Sequence, residues 1–416
     1  MQGMEQNLGH AVEQFVADRA DYYETWLYDQ PIVTDARRIE DLKRAGLALN
    51  KLIHHAGTQF LEHEGYSKMA ISDKAKDILR VFNEKPHYDV GTYRTDFVFT
   101  PDARAKFIEI TCQFSLNAFF QSSVYDFYSK RYSTAHGLDA HRIDDYGDFI
   151  PFMQEKIGDT SSICIIKGRD KIQSSRFFSP IFQAAGYEVK EILYTEVWAH
   201  RAFIEKSFVV SEIMIDEIET LSMDEIRLLA ASNLVNDYRT IFIAHDKRYF
   251  TLLGDRELQR QVLDAEEMEV FNRYMIETQS MDRPDFDLQP ALDHKDNWVL
   301  KHINLGRSRD VYSGLEFNQT EWEELIQSLD TSQFILQEWV PQKAVRGTVK
   351  GVEHNDYLTG TLLYFDQRYF GLGLFRTSSH IIANKVDNRN IFPLVLDDLQ
   401  CGSTSAPGAI GAALLG

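Results

Sequence analysis

Apolar side chains recur every three or four positions through the first part of the chain. The repeat is clearest over 42–57 and 70–82, where it places apolar residues along one face of a helix. We therefore expect residues 5–85 to be mostly helical. A further helix, rich in aromatic residues, is predicted over 117–132.

Strict alternation of apolar and polar residues follows the helical region. It runs over 93–100 and 105–111, and a Pro-Asp pair separates the two stretches as a turn would. The pattern predicts a β-hairpin whose loop is 101–104, with Thr100 opposite Ala105.

The register of this hairpin brings charged residues together. Counting outward from the loop places Asp96 opposite Glu109 and Arg94 opposite Thr111. The opposite face would then contribute to the core through Phe97, Phe99, Ile108 and Ile110. Like charges that face each other destabilise a sheet, so two opposed carboxylates favour a cation between them. Oxygen ligands suit Mg²⁺; the alternative is that each acid is solvated or paired with a nearby lysine or arginine.

The middle of the chain has the pattern of an α/β unit. Residues 161–166 and 187–193 are predicted strands, and 174–185 is the helix between them, so a parallel pair with a right-handed crossover is expected. No glycine-rich loop joins the first strand to the helix, which argues against a dinucleotide-binding fold. A strand over 240–244 and a helix over 258–279 are predicted next.

Strands dominate the pattern from 298 to 396 after a connection rich in Pro and Asp over 281–294. A strand over 297–301 ends in a lysine. Another, over 334–341, is closed by a proline, and a hairpin is predicted around 365–368.

Composition and charge narrow the classes of function. A chain of 416 residues is expected to hold two or three subdomains. With 44% hydrophobic and 26% charged residues it has a globular composition, and its net charge of −19 argues against nucleic-acid or anionic-membrane partners. The sequence shows no apolar run of membrane-spanning length and no signal peptide. Its three cysteines have no metal-binding spacing. These features predict a cytoplasmic protein. The tail over 401–416 is rich in small residues and is expected to be mobile.

Three further segments carry candidate chemistry. Lys301 precedes a Gly306-Arg307-Ser308 loop, which could donate hydrogen bonds to phosphate oxygens or could be a basic surface loop. Arg376 follows a Gly-x-Gly bend and could approach a phosphoryl group, or could lie on the surface. The strand over 334–341, which carries Gln337, Glu338, Trp339 and Val340, ends in an extended linker that could offer backbone groups to a purine, or it could be an ordinary core strand with an exposed Gln-Glu pair.

The order of these segments resembles the nucleotide half of an ATP-grasp ligase, and the Asp96–Glu109 hairpin resembles that family's magnesium motif. Here the metal motif precedes the nucleotide half. That order is similar to the circularly permuted ATP-grasp group, of which glutathionylspermidine synthetase is a member. The resemblance covers about 86–125 and 241–396.

The resemblance implies an α/β fold with a permuted ATP-grasp core and an inserted α/β domain. The implied regions are an N-terminal helical region, the metal-binding hairpin half, a preATP-grasp-like α/β domain, the nucleotide-binding half and a flexible tail, which span 1–85, 86–135, 136–240, 241–400 and 401–416.

The resemblance also implies roles for single residues. Asp96, Glu109 and Thr111 would bind magnesium, and Arg94, Lys301 and Arg376 would act on the phosphates. The nucleotide site would comprise Lys247, Lys301, Gly306, Arg307, Ser308, Gln337, Glu338, Trp339 and Val340.

The chain departs from the family pattern at three places. Thr111 stands where an asparagine ligand is expected, and Asn117 is an alternative third ligand. His302 replaces the proline after the lysine, and Ser308-Arg309 replaces Glu-Gly in the loop.

The reaction implied by the resemblance is ATP-dependent ligation of a carboxylic acid to an amine through an acyl phosphate, with ATP and Mg²⁺ as cofactors and release of ADP and phosphate. Amino acids or a peptide are candidate substrates. The alternatives are transfer of an amino acid to the thiol of a carrier protein, a catalytically silent nucleotide-binding module, and a scaffold that binds no nucleotide.

Overall fold

The computed structural model describes residues 2–113, 116–140, 142–169, 175–283, 286–383 and 385–396, so the predicted tail over 401–416 lies outside the described residues. The helices are α1 (Gln2–Ala17), α2 (Ala20–Glu24), α3 (Ala36–Gln59), α4 (Asp73–Asn83), α5 (Asn117–His136), α6 (Phe149–Ile157), α7 (Ser175–Ala184), α8 (Arg201–Ile204), α9 (Ile215–Thr220), α10 (Met223–Ala231), α11 (Tyr238–Ala244), α12 (Tyr249–Leu253), α13 (Arg256–Val262), α14 (Ala265–Tyr274), α15 (Gln289–Asp293) and α16 (Gln319–Ser328).

The strands are β1 (Ile32–Asp35), β2 (Thr92–Phe99), β3 (Ala105–Thr111), β4 (Ser162–Lys167), β5 (Glu188–Leu193), β6 (Phe208–Glu212), β7 (Asn233–Val235), β8 (Thr278–Ser280), β9 (Trp298–His302), β10 (Val311–Ser313), β11 (Phe334–Glu338), β12 (Ala344–Val349), β13 (Val352–Phe365), β14 (Arg368–Leu372), β15 (Phe375–Ser378), β16 (Arg389–Ile391) and β17 (Pro393–Leu396). Short 3-10 helices cover Glu64–Lys68, Tyr146–Asp148, Tyr194–Glu196, Trp198–His200, Lys295–Asn297, Gly314–Glu316 and Thr331–Gln333. This is the mixed α/β composition expected from the sequence; the permuted order and the domain boundaries remain predictions.

A large antiparallel sheet joins the hairpin to the C-terminal strands. Its order is β16-β15-β13-β2-β3, and β12 and β14 also pair with the long strand β13. The predicted register is confirmed where it matters most, because Asp96 pairs with Glu109 and Arg94 with Thr111.

The loop end of the hairpin differs from the prediction. Ala105 pairs with Phe99 rather than with Thr100, and the register shifts by one residue between Asp96 and Phe97. The Thr100 amide instead closes the loop by donating to the Arg104 carbonyl at 2.8 Å. This bulge turns Ile108 out of its predicted core position, which Phe107 takes at 1% exposure.

A second antiparallel sheet, in the order β10-β9-β11-β8, carries the predicted lysine strand and the Gln-Glu strand. The predicted hairpin around 365–368 also forms, between β13 and β14. The sheet β10-β9-β11-β8 packs on its own apolar cluster, which includes Trp298, Leu300, Trp322 and Leu336. It lies across a cleft from the large sheet.

The third sheet is parallel, in the order β5-β4-β6-β7, and confirms the predicted βαβ unit. The predicted strand over 240–244, however, is part of helix α11. All seven residues of this helix are buried, so its apolar run has no exposed face and periodicity cannot separate a strand from a helix. Asp237 begins the helix by accepting a hydrogen bond from the Arg239 amide.

The predicted helix over 258–279 is also shorter and divided. Helix α13 ends at Val262, and Asp264 begins α14 because its side chain accepts from the Glu267 amide at 2.9 Å. The last residues of the predicted helix form strand β8. None of the helices in the described ranges is long and apolar enough to cross a membrane.

The N-terminal helices support the sheet that carries the candidate site. Tyr364 of β13 stacks on Tyr93 of β2 with ring centroids 4.9 Å apart. A Cβ added to Gly46 of α3 would lie 1.9 Å from the Tyr364 hydroxyl, so only glycine permits this close approach.

We expect Gly46→Ala to lower the free energy of unfolding by about 1–3 kcal/mol, because overpacking outweighs the better helix propensity of alanine. Urea denaturation measures this change. Gly9→Ala in α1 is the matched control, since its Cβ would meet Ile150 at an ordinary 3.8 Å. Equal stability of the two variants would contradict the close approach.

Candidate functional site

The cleft between the two antiparallel sheets collects most of the residues predicted to act on a nucleotide. It encloses about 720 Å³ between the sheets, with its open mouth included. Nine predicted residues line it: Glu109, Lys247, Lys301, Ser308, Gln337, Glu338, Trp339, Val340 and Arg376.

Lys301 lies on β9 at the floor of the cleft and is 9% exposed. Its ammonium group donates to the Gln337 side-chain oxygen at 2.6 Å and to the Ile108 carbonyl at 3.1 Å. Burial disfavours the charge and, with Lys247 nearby, lowers the pKa of Lys301 to about 8, against the opposing effect of Glu109.

Asp96 is fully buried and is held by two arginines. Arg94, two residues earlier on the same strand, donates from Nε and Nη2 to its two oxygens at 2.9 and 3.2 Å. Arg376 of β15 also donates to Asp96. Burial opposes the charge of Arg94, but Asp96 and Glu109 outweigh it and raise the pKa of Arg94.

Glu109 faces the cleft, with 21% of its side chain exposed, and pairs with Lys247 at 3.1 Å. Lys247 also donates to the Leu305 carbonyl at 2.7 Å, which fixes its ammonium group beside the loop after β9. Burial alone would raise the pKa of Glu109, but Lys247, Lys301 and the two arginines lower it well below its usual range. Glu109 is therefore ionised at neutral pH.

The loop after β9 adopts an unusual backbone. Arg307, Ser308 and Asp310 have φ values of 59°, 57° and 50°, in the left-handed region that favours glycine. Ser308 donates to the Ala383 carbonyl and so ties the loop to the segment after β15. Gly306 and Arg307 do not line the cleft in the structure. Strain of this kind persists where surrounding contacts impose it, often at ligand sites.

The end of β11 and the linker after it form one wall of the cleft. Two amides of this wall are already used inside the protein: the Glu338 amide donates to the Glu277 carbonyl at 2.9 Å and the Trp339 amide to the Asn297 carbonyl at 2.7 Å. The Val340 amide has no such partner within the described part of the chain.

Thr111, the predicted third metal ligand, pairs with Arg94 across the hairpin and does not line the cleft. Asn117, the alternative, is the first residue of α5. Among the described residues, no group of three or more His, Cys, Asp and Glu side chains is arranged to hold a metal ion. The two predicted carboxylates are thus brought together, and no third His, Cys, Asp or Glu side chain joins them in the part of the chain that the structure describes.

Sequence reasoning missed the apolar and neutral lining of the cleft. Thr359 pairs with Arg376 across β13 and β15, and Gln342 donates to the Ile381 carbonyl at 2.9 Å. These residues contact the cleft only through strand pairing and loop folding, so no local pattern identifies them.

Comparison with known proteins gives three findings. The family model described as the AnkG N-terminal domain matches residues 48–243. The structure of a glutathione synthetase like-effector (GSS30) from Globodera pallida, in apo form, is 11% identical with a TM-score of 0.57, over 92% of this chain and 96% of that one. A putative gamma-glutamylcysteine synthetase from Methylobacillus flagellatus KT is 12% identical with a TM-score of 0.40, over 92% of this chain and 93% of that one.

No curated protein matches the sequence at a significant level. The likeness to the Globodera pallida effector extends along nearly the whole of both chains. It shows that the two proteins share a fold.

Proposed function

We propose that the chain is an ATP-dependent ligase that joins a carboxylic acid to an amine and releases ADP and phosphate. The observation that carries this proposal is the cation cluster in the cleft. Arg94, Lys247, Lys301 and Arg376 surround the two carboxylates of Asp96 and Glu109. The shared fold with a glutathione synthetase-like protein supports the same reaction class.

The charge of the cluster matches a magnesium–nucleotide complex. Four cations and two carboxylates leave a net charge of +2 when Lys301 is protonated. ATP bound to one Mg²⁺ carries about two negative charges at neutral pH. In a protein with an overall charge of −19, four cations are thus concentrated around two carboxylates.

The donor set fits a magnesium ion that takes most of its ligands from phosphates. Glu109 faces the cleft and would hold the ion through its carboxylate; Asp96 would join it on release from Arg376. The ion would neutralise charge on the phosphates. The chain's own residues would position the nucleotide: Lys247 and Lys301 at the phosphates, and Val340 at the purine.

A silent nucleotide-binding module is the second candidate. It is favoured because both acidic residues already have partners within the protein: Asp96 accepts from two arginines, and Glu109 is paired with Lys247. Such a protein would bind ATP without turning it over.

The test uses the full chain with ATP, Mg²⁺ and a panel of carboxylic acids, with hydroxylamine to trap acyl phosphate as hydroxamate. We expect stoichiometric ADP, phosphate and hydroxamate. AMP and pyrophosphate would assign another ligase class, and binding without turnover would favour the silent module. Calorimetry that detects no ATP binding at millimolar Mg²⁺ would overturn both candidates.

The pH dependence of nucleotide affinity follows from Lys301. Its pKa of about 8 means that the free protein loses this charge as the pH rises past 8, and a neutral amine no longer attracts phosphate. We expect ATP affinity, measured by calorimetry, to fall up to about tenfold for each pH unit above 8. Lys301→Arg keeps its charge and should remove the decline; a decline of the same slope in this variant would assign the effect to another group.

A further inference from the structure

A second cavity adjoins the nucleotide cleft, and Arg376 lines both. The second cavity also includes Arg94, so the two arginines that hold Asp96 form its charged end. We call this cavity the acid pocket. Its other walls come from the N-terminal helical region, from α5 and α7, and from the segment before β16.

The acid pocket gathers exposed apolar side chains. Tyr22 is 62% exposed, Trp26 49% and Val386 70%, and all three line this cavity. Single exposed apolar residues are normal on a protein surface, whereas a cluster of them in a concavity marks a binding site. Their grouping in one cavity with two arginines fits a ligand with both an apolar and an anionic part.

The aromatic rings that line the acid pocket contact one another. Phe120 and Phe177 stack with centroids 4.7 Å apart and ring planes within 9° of parallel. Tyr23 lies 6.1 Å from Phe120 and 5.5 Å from Tyr22. Rings fixed in this way lose little conformational entropy when a ligand binds.

The charge at the pocket's end selects the ligand's sign. Arg94 and Arg376 are both cationic, and both donate to the carboxylate of Asp96. Glu109 also interacts with the two arginines, but Lys247 and Lys301 lie beside that carboxylate, so the six groups together carry a net positive charge. Asp387, the acid in the described lining of the pocket, is bound to Ser378, Ser379 and Arg389. This end of the pocket therefore attracts a carboxylate and repels an amine.

We propose that the acid pocket binds the carboxylic acid substrate, and that this acid carries an aromatic or similarly large apolar group. The inference rests on the proposed ligase function and adds the class of its substrate. Arg376, shared by the two cavities, would place the carboxylate beside the γ-phosphate. A carboxylate oxygen would then bond to the γ-phosphorus while the bond from that phosphorus to the bridging oxygen breaks, and ADP would leave with the electron pair.

The test measures binding of three probes to the full chain, without nucleotide, by saturation-transfer NMR and calorimetry. Hydrocinnamate has both the ring and the carboxylate, propionate lacks the ring, and hydrocinnamamide lacks the charge. We expect hydrocinnamate to bind at least about tenfold more tightly than either of the others, and its ring protons to show the strongest transfer.

Two tryptophan variants locate the site. Trp26→Ala should weaken hydrocinnamate binding about tenfold. Trp198→Ala is the matched control, because Trp198 is also 49% exposed but lines a different surface, and it should leave the affinity unchanged. Since both side chains are half exposed, neither change is expected to unfold the protein.

The outcomes separate this inference from the ligase proposal. Equal affinities for the three probes, or equal effects of the two tryptophan variants, would overturn the acid pocket even if ATP binds and is turned over. Hydrocinnamate binding that depends on Trp26 in a protein that binds no ATP would support the pocket and overturn the ligase. Hydroxamate formed from hydrocinnamate but not from propionate would support both.

Discussion

Glu109→Gln is expected to lower the rate of ATP turnover by about 10²–10³-fold while the protein keeps its fold and most of its nucleotide affinity. The glutamine has the same size, so Lys247 keeps its bond to the Leu305 carbonyl. The lost charge faces the cleft, where surrounding cations keep Glu109 ionised. Magnesium held there would matter most when charge develops on the transferred phosphoryl group.

Single-turnover ADP release measures the rate, and circular dichroism checks the fold. The matched control is Glu191→Gln, because Glu191 also lies on a strand and pairs with a lysine, Lys167, at 2.6 Å with 31% of its side chain exposed. We expect that change to alter stability by no more than about 0.5 kcal/mol and activity not at all. Turnover of Glu109→Gln within a factor of two of wild type would show that Glu109 holds no metal.

The hairpin shows how far the sequence determines the register. Alternation and the Pro-Asp turn were sufficient to pair Asp96 with Glu109. The bulge was not predictable, because the loop is also one residue longer on the β2 side than predicted and the two differences cancel in the outer pairs. Its consequence is functional: it places Ile108 in the cleft and lets the Ile108 carbonyl accept from Lys301.

Secondary structure was harder to predict for elements that are buried on all sides. Helix α11 is apolar throughout because other elements enclose it, so its sequence matches a buried strand equally well. Helix α3 has one exposed side and its repeat was visible. The sequence pattern therefore predicts elements with one solvent-facing side better than elements at the centre of the fold.

The candidate site also has a part that could be predicted from the sequence and a part that could not. Charged residues, the loop after the lysine strand and the Gln-Glu strand could be selected from the sequence, and nine of the selected residues line one cleft. The acid pocket could not be predicted, because its lining joins segments as far apart as Tyr22 and Asn390. The bond between Arg376 and Asp96 spans 280 positions of the chain. Such contacts depend on the pairing of β2 with β13 and of β13 with β15.

Substitutions of Arg376 can separate the loss of a phosphate contact from the loss of a structural contact. Only 23% of its side chain is exposed, and it binds the fully buried Asp96, so the alternative of a plain surface arginine does not describe it. Arg376→Ala should cost about 1–3 kcal/mol of stability, because among the described residues Asp96 then keeps only Arg94 as a charged hydrogen-bond partner. If Arg376 also contacts the phosphoryl group in the transition state, turnover should fall about 10²–10³-fold.

Arg376→Lys distinguishes the two roles. Lysine keeps the charge near Asp96, so stability should recover, but it lacks the fixed fork of donors that can reach Asp96 and a phosphoryl oxygen together. We therefore expect a stable protein that remains slow in single-turnover assays, with ATP affinity changed far less than the rate. The control is Arg368→Lys on β14, which pairs with β13 as β15 does; Arg368 forms an ion pair with Asp148 at 3.5 Å. A fully active Arg376→Lys protein would rule out the fork, and a fully active Arg376→Ala protein would remove Arg376 from the site.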